Sequence, residues 1–155
     1  MALTQAQKTS LKTDILSPAN AAALSGFIAG EDWPSVAIFY NSVGAGLLWR
    51  PNIQAYELTG VVVGSAFDVL PVAKQNGYLV LIHDGIIDAT QASIRAWFSD
   101  IFGAGATLTA LTAKAQRPGT RVELLFSVPA GAANVSALFG IQISASDVQD
   151  AMLHG

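Results

Sequence analysis

The polar and apolar positions at the start of the chain repeat with a helical period. Thr4 and Gln7 stand three apart ahead of Leu11 and Ile15. At that spacing a Thr hydroxyl accepts from the third helical amide while Gln reaches back to the cap. The pattern predicts a helix from about Gln5 to Leu16. Ser17-Pro18 ends it and begins a second, since Ser suits a cap and Pro the first helical position. The Ala-rich stretch that follows runs to Phe27 and Ile28 and stops near Gly30. Glu31-Asp32-Trp33-Pro34 repeats the start signal, and Val36, Phe39 and Tyr40 form the apolar face of a short third helix.

Val43-Gly44-Ala45-Gly46 breaks the pattern, leaving Leu47-Leu48-Trp49-Arg50-Pro51 as an extended connection because the residue before Pro avoids helical angles. A turn of helix is expected from Ile53 to Leu58. Asn76-Gly77 ahead of Tyr78-Leu79-Val80-Leu81-Ile82 has two readings: a hairpin turn feeding a buried strand, or a buried helix that tolerates Gly77 at a cost of about 1 kcal/mol relative to Ala. Beyond Thr90, a good cap, Ile94, Trp97, Phe98 and Ile101 recur at i, i+3, i+4 and i+7 and place Trp97 on an inward face. Gly103-Ala104-Gly105 stops that helix, and Thr107 opens another with Leu108, Leu111 and Ala115 inward.

Pro118-Gly119 is expected to turn the chain, and Thr120 to Phe126 to add helical turns. Ser136 to Ser144 alternates loosely around Leu138, Phe139, Ile141 and Ile143, which predicts a strand or hairpin arm within an extended segment spanning 128–145. Ser146-Asp147-Val148-Gln149 has the spacing of a second capping box before a C-terminal helix. The expected fold is mainly α: a compact helical domain with a small C-terminal β-strand or hairpin arm. Its 155 residues suit one domain.

Composition changes this picture in one respect. Charged residues make up 12% of the chain, about half the usual quarter, while apolar residues reach 52%. A monomer with so little charge is poorly equipped to cover its surface, so much of that surface is expected to meet other subunits. A net charge of −3 and a pI near 5.1 argue against electrostatic capture of nucleic acid or an anionic membrane. The absence of Cys removes disulfides, thiol nucleophiles and thiolate metal sites. The first residues lack the charged and apolar regions of a secretory signal. Leu124 to Ser146 is uncharged and long enough for a membrane span, but Pro129, Gly131, Asn134 and Gly140 interrupt it, so no membrane partner is expected.

Candidate chemistry is sparse. His83-Asp84 is the one internal His beside a carboxylate, and it supports a third-ranked alternative in which the chain is a small enzyme. Neighbours on a helix diverge by about 100°, so a half-buried His at the end of an apolar element is the simpler reading. Gly103-Ala104-Gly105 begins like a dinucleotide fingerprint, but Leu108 stands where its third Gly belongs. Asp84 and Asp88 lack a third ligand. No catalytic residue, cofactor or metal site is assigned. Lys114, Arg117 and Arg121 form the one basic cluster; as Pro118-Gly119 interrupts its face, a salt-bridging or subunit-contacting patch is at least as good a reading as a phosphate site. Trp49 with Arg50, and Trp97, are candidate interface anchors, as Trp and Arg are enriched at binding hot spots, though for Trp97 its place on the apolar helix face favours a core role. Arg117, Arg121, Leu138, Phe139, Ile141 and Ile143 complete the candidate interface.

Several segments together resemble a family of small virion proteins of tailed bacteriophages. They are Leu3-Thr4 with Leu11-Lys12-Thr13-Asp14-Ile15, Tyr40-Asn41, Trp49-Arg50, Val72-Ala73-Lys74 and Phe102-Gly103-Ala104-Gly105. The resemblance continues through Leu111-Thr112-Ala113, Arg121-Val122-Glu123-Leu124-Leu125-Phe126 and Ser146-Asp147-Val148-Gln149-Asp150-Ala151. It implies a long helix across Asn76-Gly77. It also implies a head–tail connector (adaptor or neck) protein that forms a homo-oligomeric ring beneath the portal protein and docks a tail or nozzle protein. DNA would pass through the bore without sequence-specific binding. The protein would be made in the bacterial host cytoplasm and reside in the virion neck. The alternative within the virion is a tail-terminator or capsid-decorating protein.

Overall fold

The computed structural model describes residues 2–62, 64–128, 135–136 and 140–155. In chain order the elements are α1 (Gln5–Ile15), α2 (Pro18–Ala29), α3 (Trp33–Asn41), β1 (Val43–Trp49), β2 (Ile53–Gln54), α4 (Ala55–Thr59), α5 (Gly64–Asp68) and α6 (Val72–His83). There follow β3 (Ile86–Ile87), α7 (Ala92–Phe102), α8 (Ala106–Ala115), β4 (Gln116–Thr120), α9 (Arg121–Leu125), β5 (Ser127–Val128), β6 (Val135–Ser136) and α10 (Ala145–His154). The fold is mainly α, as expected, with a small C-terminal antiparallel pair, β5 and β6, in which Ser127 lies opposite Ser136; of the strand expected over 136–144, residues 140–144 carry none. The single domain expected from length takes the form of two compact units, Leu47–Arg117 being inserted into a unit made of Met1–Gly46 and Pro118–Gly155.

The outer unit is built on local signals that the sequence displays. Thr4 and Gln7 close the expected capping box on α1, and Asp32 caps α3 by accepting from the Ser35 amide at 3.2 Å. Leu11, Ile15, Leu24, Val36 and Tyr40 then meet Val122, Val148 and Ala151 in one apolar core. Asp14 joins the first three helices: the Tyr40 hydroxyl donates to its carboxylate at 2.6 Å and the Asn20 amide at 2.9 Å. Burial and the Asp14 bond both push the Tyr40 hydroxyl pKa well above its ordinary value. α10 packs on α1, where the Lys8 ammonium lies 2.6 Å from the Asp150 carboxylate.

Two expected signals moved. The box that starts α10 is Ser144 with Asp147, two residues before the expected Ser146, because Ser144 is the residue still in extended backbone. Pro118-Gly119 makes no turn and lies inside β4, which is the sheet neighbour of β1. Thr120 and Glu123 then form a capping box on α9. Gly44 and Gly46 straddle the Leu124 side chain so closely that an added Cβ would come within 2.5 and 2.7 Å of its methyl groups.

In the inserted unit, α6 settles the two readings of Asn76-Gly77 in favour of helix. Tyr78 packs its ring between Phe67 and Phe102, with centroids 5.9 and 5.4 Å away. β2 and β3 pair antiparallel, Ile53 opposite Ile87. Gln91, not Thr90, occupies the N-cap position of α7, without a side-chain capping bond among the described residues, and the Thr90 hydroxyl instead donates to Asp88. Its C-terminus turns at Gly103, whose φ of 63° suits Gly. α8 follows, and Leu111 and Ala115 are buried as expected, with Leu108 half-buried.

Opposite outcomes are expected at two glycines. A Cβ at Gly77 would meet only the tip of Ile101 at 3.9 Å. Gly77→Ala should therefore raise stability by about 0.5–1 kcal/mol through helix propensity. Gly46→Ala should lower it by about 1–3 kcal/mol through overpacking against Leu124. Urea denaturation of both variants beside the native chain checks the pair.

Candidate functional site

Trp49 and Arg50 leave β1 in the inserted unit, where both were expected to face a partner. Trp49 is only 9% exposed. The Arg95 guanidinium stands over its ring at 5.3 Å, and Arg95 itself donates to the carbonyls of Ala89 and Thr90 at 2.8 and 2.6 Å. The indole Nε1 is buried without a hydrogen-bond partner among the described residues. Arg50 is engaged inside the same unit. Its guanidinium makes two 2.8 Å bonds to the two oxygens of Glu57 and donates to the Lys114 carbonyl at 3.0 Å. Its backbone donates to Ala115 and accepts from Ala89. Arg50 thus ties α4, α8 and the start of the β3–α7 connection to the end of β1.

The Arg50 bond, followed by the Gln54 amide, holds the Glu57 carboxyl down to about 2. The same bond raises the Arg50 pKa. Glu57 does not stand out in the sequence, although its place three residues after Gln54 and seven after Arg50 is the signal. At Asp88, burial opposes ionisation, but the bonds from Thr90 and Gln91 outweigh it and lower the pKa.

The other candidates separate. Arg121, at the start of α9, lays its guanidinium 4.2 Å from the Phe39 ring centre, and its backbone donates to Ser42 at 3.0 Å. Arg117 lies in β4. The intervening strand removes the shared helical face that spacing suggested for the basic cluster. Ile141 and Ile143, expected on an arm, are buried in the core of the outer unit. Asn41 holds Ile143 by both backbone groups: its amide donates to the carbonyl at 2.8 Å and its oxygen accepts from the amide at 3.0 Å. Glu123, itself buried, accepts from the Gly140 amide at 2.6 Å. Neither residue was singled out from sequence as a fastening, though Thr120-x-x-Glu123 has capping-box spacing. Leu138 and Phe139 lie outside the described residues.

His83 and Asp84 stand at the C-terminal end of α6, with Nδ1 and Oδ1 3.3 Å apart. Both side chains are almost fully exposed, where a half-buried His was expected. Among the described residues neither bonds a third side chain, and no three His, Cys, Asp or Glu gather as metal ligands. Trp97 reverses its expectation: it is 42% exposed, and with Gly77, Lys74 and Asp100 it lines a hollow of about 320 Å³.

The described surface is conspicuous for large apolar side chains rather than for polar constellations. Tyr56, Val69, Val72, Val80 and Ile86 in the inserted unit, and Ile38, Val43 and Leu153 in the outer one, are well exposed. Large exposed apolar groups of this kind, when contiguous, mark contact surfaces. No helix among the described residues is long and apolar enough to cross a membrane. Comparison with protein families, with curated proteins and with solved structures returns no match.

Arg50 and Glu57 side chains are 21% and 23% exposed, so their forked pair is partly screened and worth about 1–2 kcal/mol. Because folding lowers the Glu57 pKa from about 4.5 to about 2, its contribution is complete above the higher value and disappears as pH falls through the lower one. Glu57→Gln should destabilise the chain at neutral pH by about that amount. The gap to the native chain should narrow below about pH 4.5 and vanish near 2. Urea midpoints across this range check it.

Proposed function

We propose that the chain is a structural head–tail connector, an adaptor or neck subunit of a tailed phage virion, whose work is binding and mechanical rather than catalytic. In this reading it is made in the host cytoplasm and assembles into a homo-oligomeric ring between the portal protein and a tail or nozzle protein. The observation that carries it is the surface. A chain with only 12% charged residues exposes large apolar side chains on both of its units, and a subunit packed between two copies of itself, a portal and a tail component covers such faces. The resemblance of its segments to small virion proteins supports the same reading.

The internal engagement of Trp49, Arg50, Ile141 and Ile143 moves the contact surface of this proposal away from them. Trp97, Tyr56, Val69 and Ile86, exposed on the inserted unit, take their place. The bore, on an acidic chain of net charge −3, lets DNA slide because few counterion-releasing contacts hold the phosphates.

Light scattering of the purified protein, alone and with portal complex, tests this. A discrete ring, formed alone or on the portal, is the expected result. A ring that forms without binding portal would move the protein to a tail-terminator or capsid-decorating position. A species whose mass is indifferent both to concentration and to portal would sink the connector reading.

A further inference from the structure

Helix α6 is apolar on two sides. Tyr78 and Leu81 face the interior of the inserted unit, while Val72, Leu79 and Val80 are 69%, 51% and 63% exposed. Large apolar side chains left bare together mark a contact surface. The bare side has a definite period: apolar Val72 and Leu79 alternate with polar Asn76 and His83 at intervals of four, three and four, the spacing of a seam between paired helices. At 1.5 Å per residue the seam is about 16 Å long. The single Lys, Arg, Asp or Glu of α6 is Lys74, which is turned toward α7 beside Trp97 and Asp100.

We propose that this seam pairs with the same seam of a second copy of the chain, the two α6 helices running antiparallel about a two-fold axis. Three observations favour a second copy as the occupant. An uncharged seam meets itself without like-charge repulsion. The N-terminus of α6 begins after Pro71 with no side chain capping it, so its first amides carry unmatched partial positive charge. Antiparallel pairing brings to that end Asp84, the almost fully exposed carboxylate at the opposite end of the partner helix. Each copy thereby supplies the acceptor that the other lacks. Finally, Leu79 stands between two hollows, of about 250 Å³ beside Phe67 and Ile82 and of about 400 Å³ beside Val80 and His83, which receive the knobs of an opposing seam.

The register sets Val72 against His83 and Asn76 against Leu79 of the second copy. One helix pair buries less than the roughly 800 Å² per partner of a standard interface, so the dimer is weak and dissociates on dilution. The contact goes beyond the connector reading: a two-fold contact closes on itself and does not propagate into a ring.

Sedimentation equilibrium of the full chain, without portal, tests it. The native chain is expected to show a monomer–dimer equilibrium. Leu79→Asp should weaken it by about tenfold or more with unchanged helicity, since Leu79 faces solvent in the monomer. Asp84→Asn should weaken it less, and Tyr56→Asp, on exposed α4, not at all. The chain has no Cys, so a mixture of the single variants Asn76→Cys and Leu79→Cys should oxidise to the mixed disulfide in excess over either homodimer. A native chain monomeric at every concentration, dimerisation unaffected by Leu79→Asp, or no preference for the mixed disulfide would overturn the pairing. A ring formed on the portal by a chain that stays monomeric on its own would overturn the pairing while leaving the connector reading intact, and a dimer that ignores portal would do the reverse.

Discussion

The stretch from Gly140 to Ser144 enters the core of the outer unit with no helix or strand to satisfy its backbone, and that unit depends on two side chains to supply the missing partners. Asn41 pairs with both backbone groups of Ile143 much as a neighbouring strand would, and the buried Glu123 receives the amide of Gly140. Only with these bonds in place can Ile141 and Ile143 be buried without stranding peptide groups. They also deliver Ser144 to the point where it caps α10, which then lies along α1.

The same habit runs through both units. Several of the charged and amide side chains are aimed inward at backbone and at one another, while others such as Lys74, Asp84 and Lys114 are exposed. Asp14 gathers Tyr40 and Asn20, Arg50 grips Glu57 and a carbonyl, Arg95 closes over two carbonyls and Trp49, and Asp88 collects Thr90 and Gln91. Polar groups used for internal fastening are not available to hydrate the exterior.

Much of the helical framework was legible because its signals are local. The box at Thr4, the Pro18 and Pro34 starts and the Gly103 stop concern residues within one turn of each other. Errors arose where a distant partner decides. Pro118-Gly119 has turn chemistry, yet pairing with β1 draws it into a strand. Trp97 fits the inward period of α7, yet the helix is covered over a narrower arc than the period allows, leaving that ring outside. Trp49 sits in an extended stretch without periodicity, and nothing near it in sequence announces Arg95. The candidate interface fared worse than the fold, because Ile141 and Ile143 are as apolar as an arm requires and as a core requires. Only the fastening by Asn41, 102 residues away, separates the two.

That separation bears on how the chain reaches its fold. The inserted unit begins and ends side by side, with the Arg50 amide bonded to the Ala115 carbonyl, and the gap it leaves in the outer unit is closed in the same manner, the Arg121 amide meeting the carbonyl of Ser42. Once the inserted unit has formed, the loop that must close to bring Asn41 to Ile143 is shortened by the whole of that unit. Closure entropy rises with loop length, and distant pairings slow folding. An insertion whose ends meet thus turns long-range contacts of the outer unit into short-range ones, and makes early formation of the middle of the chain the fast route to joining its two ends.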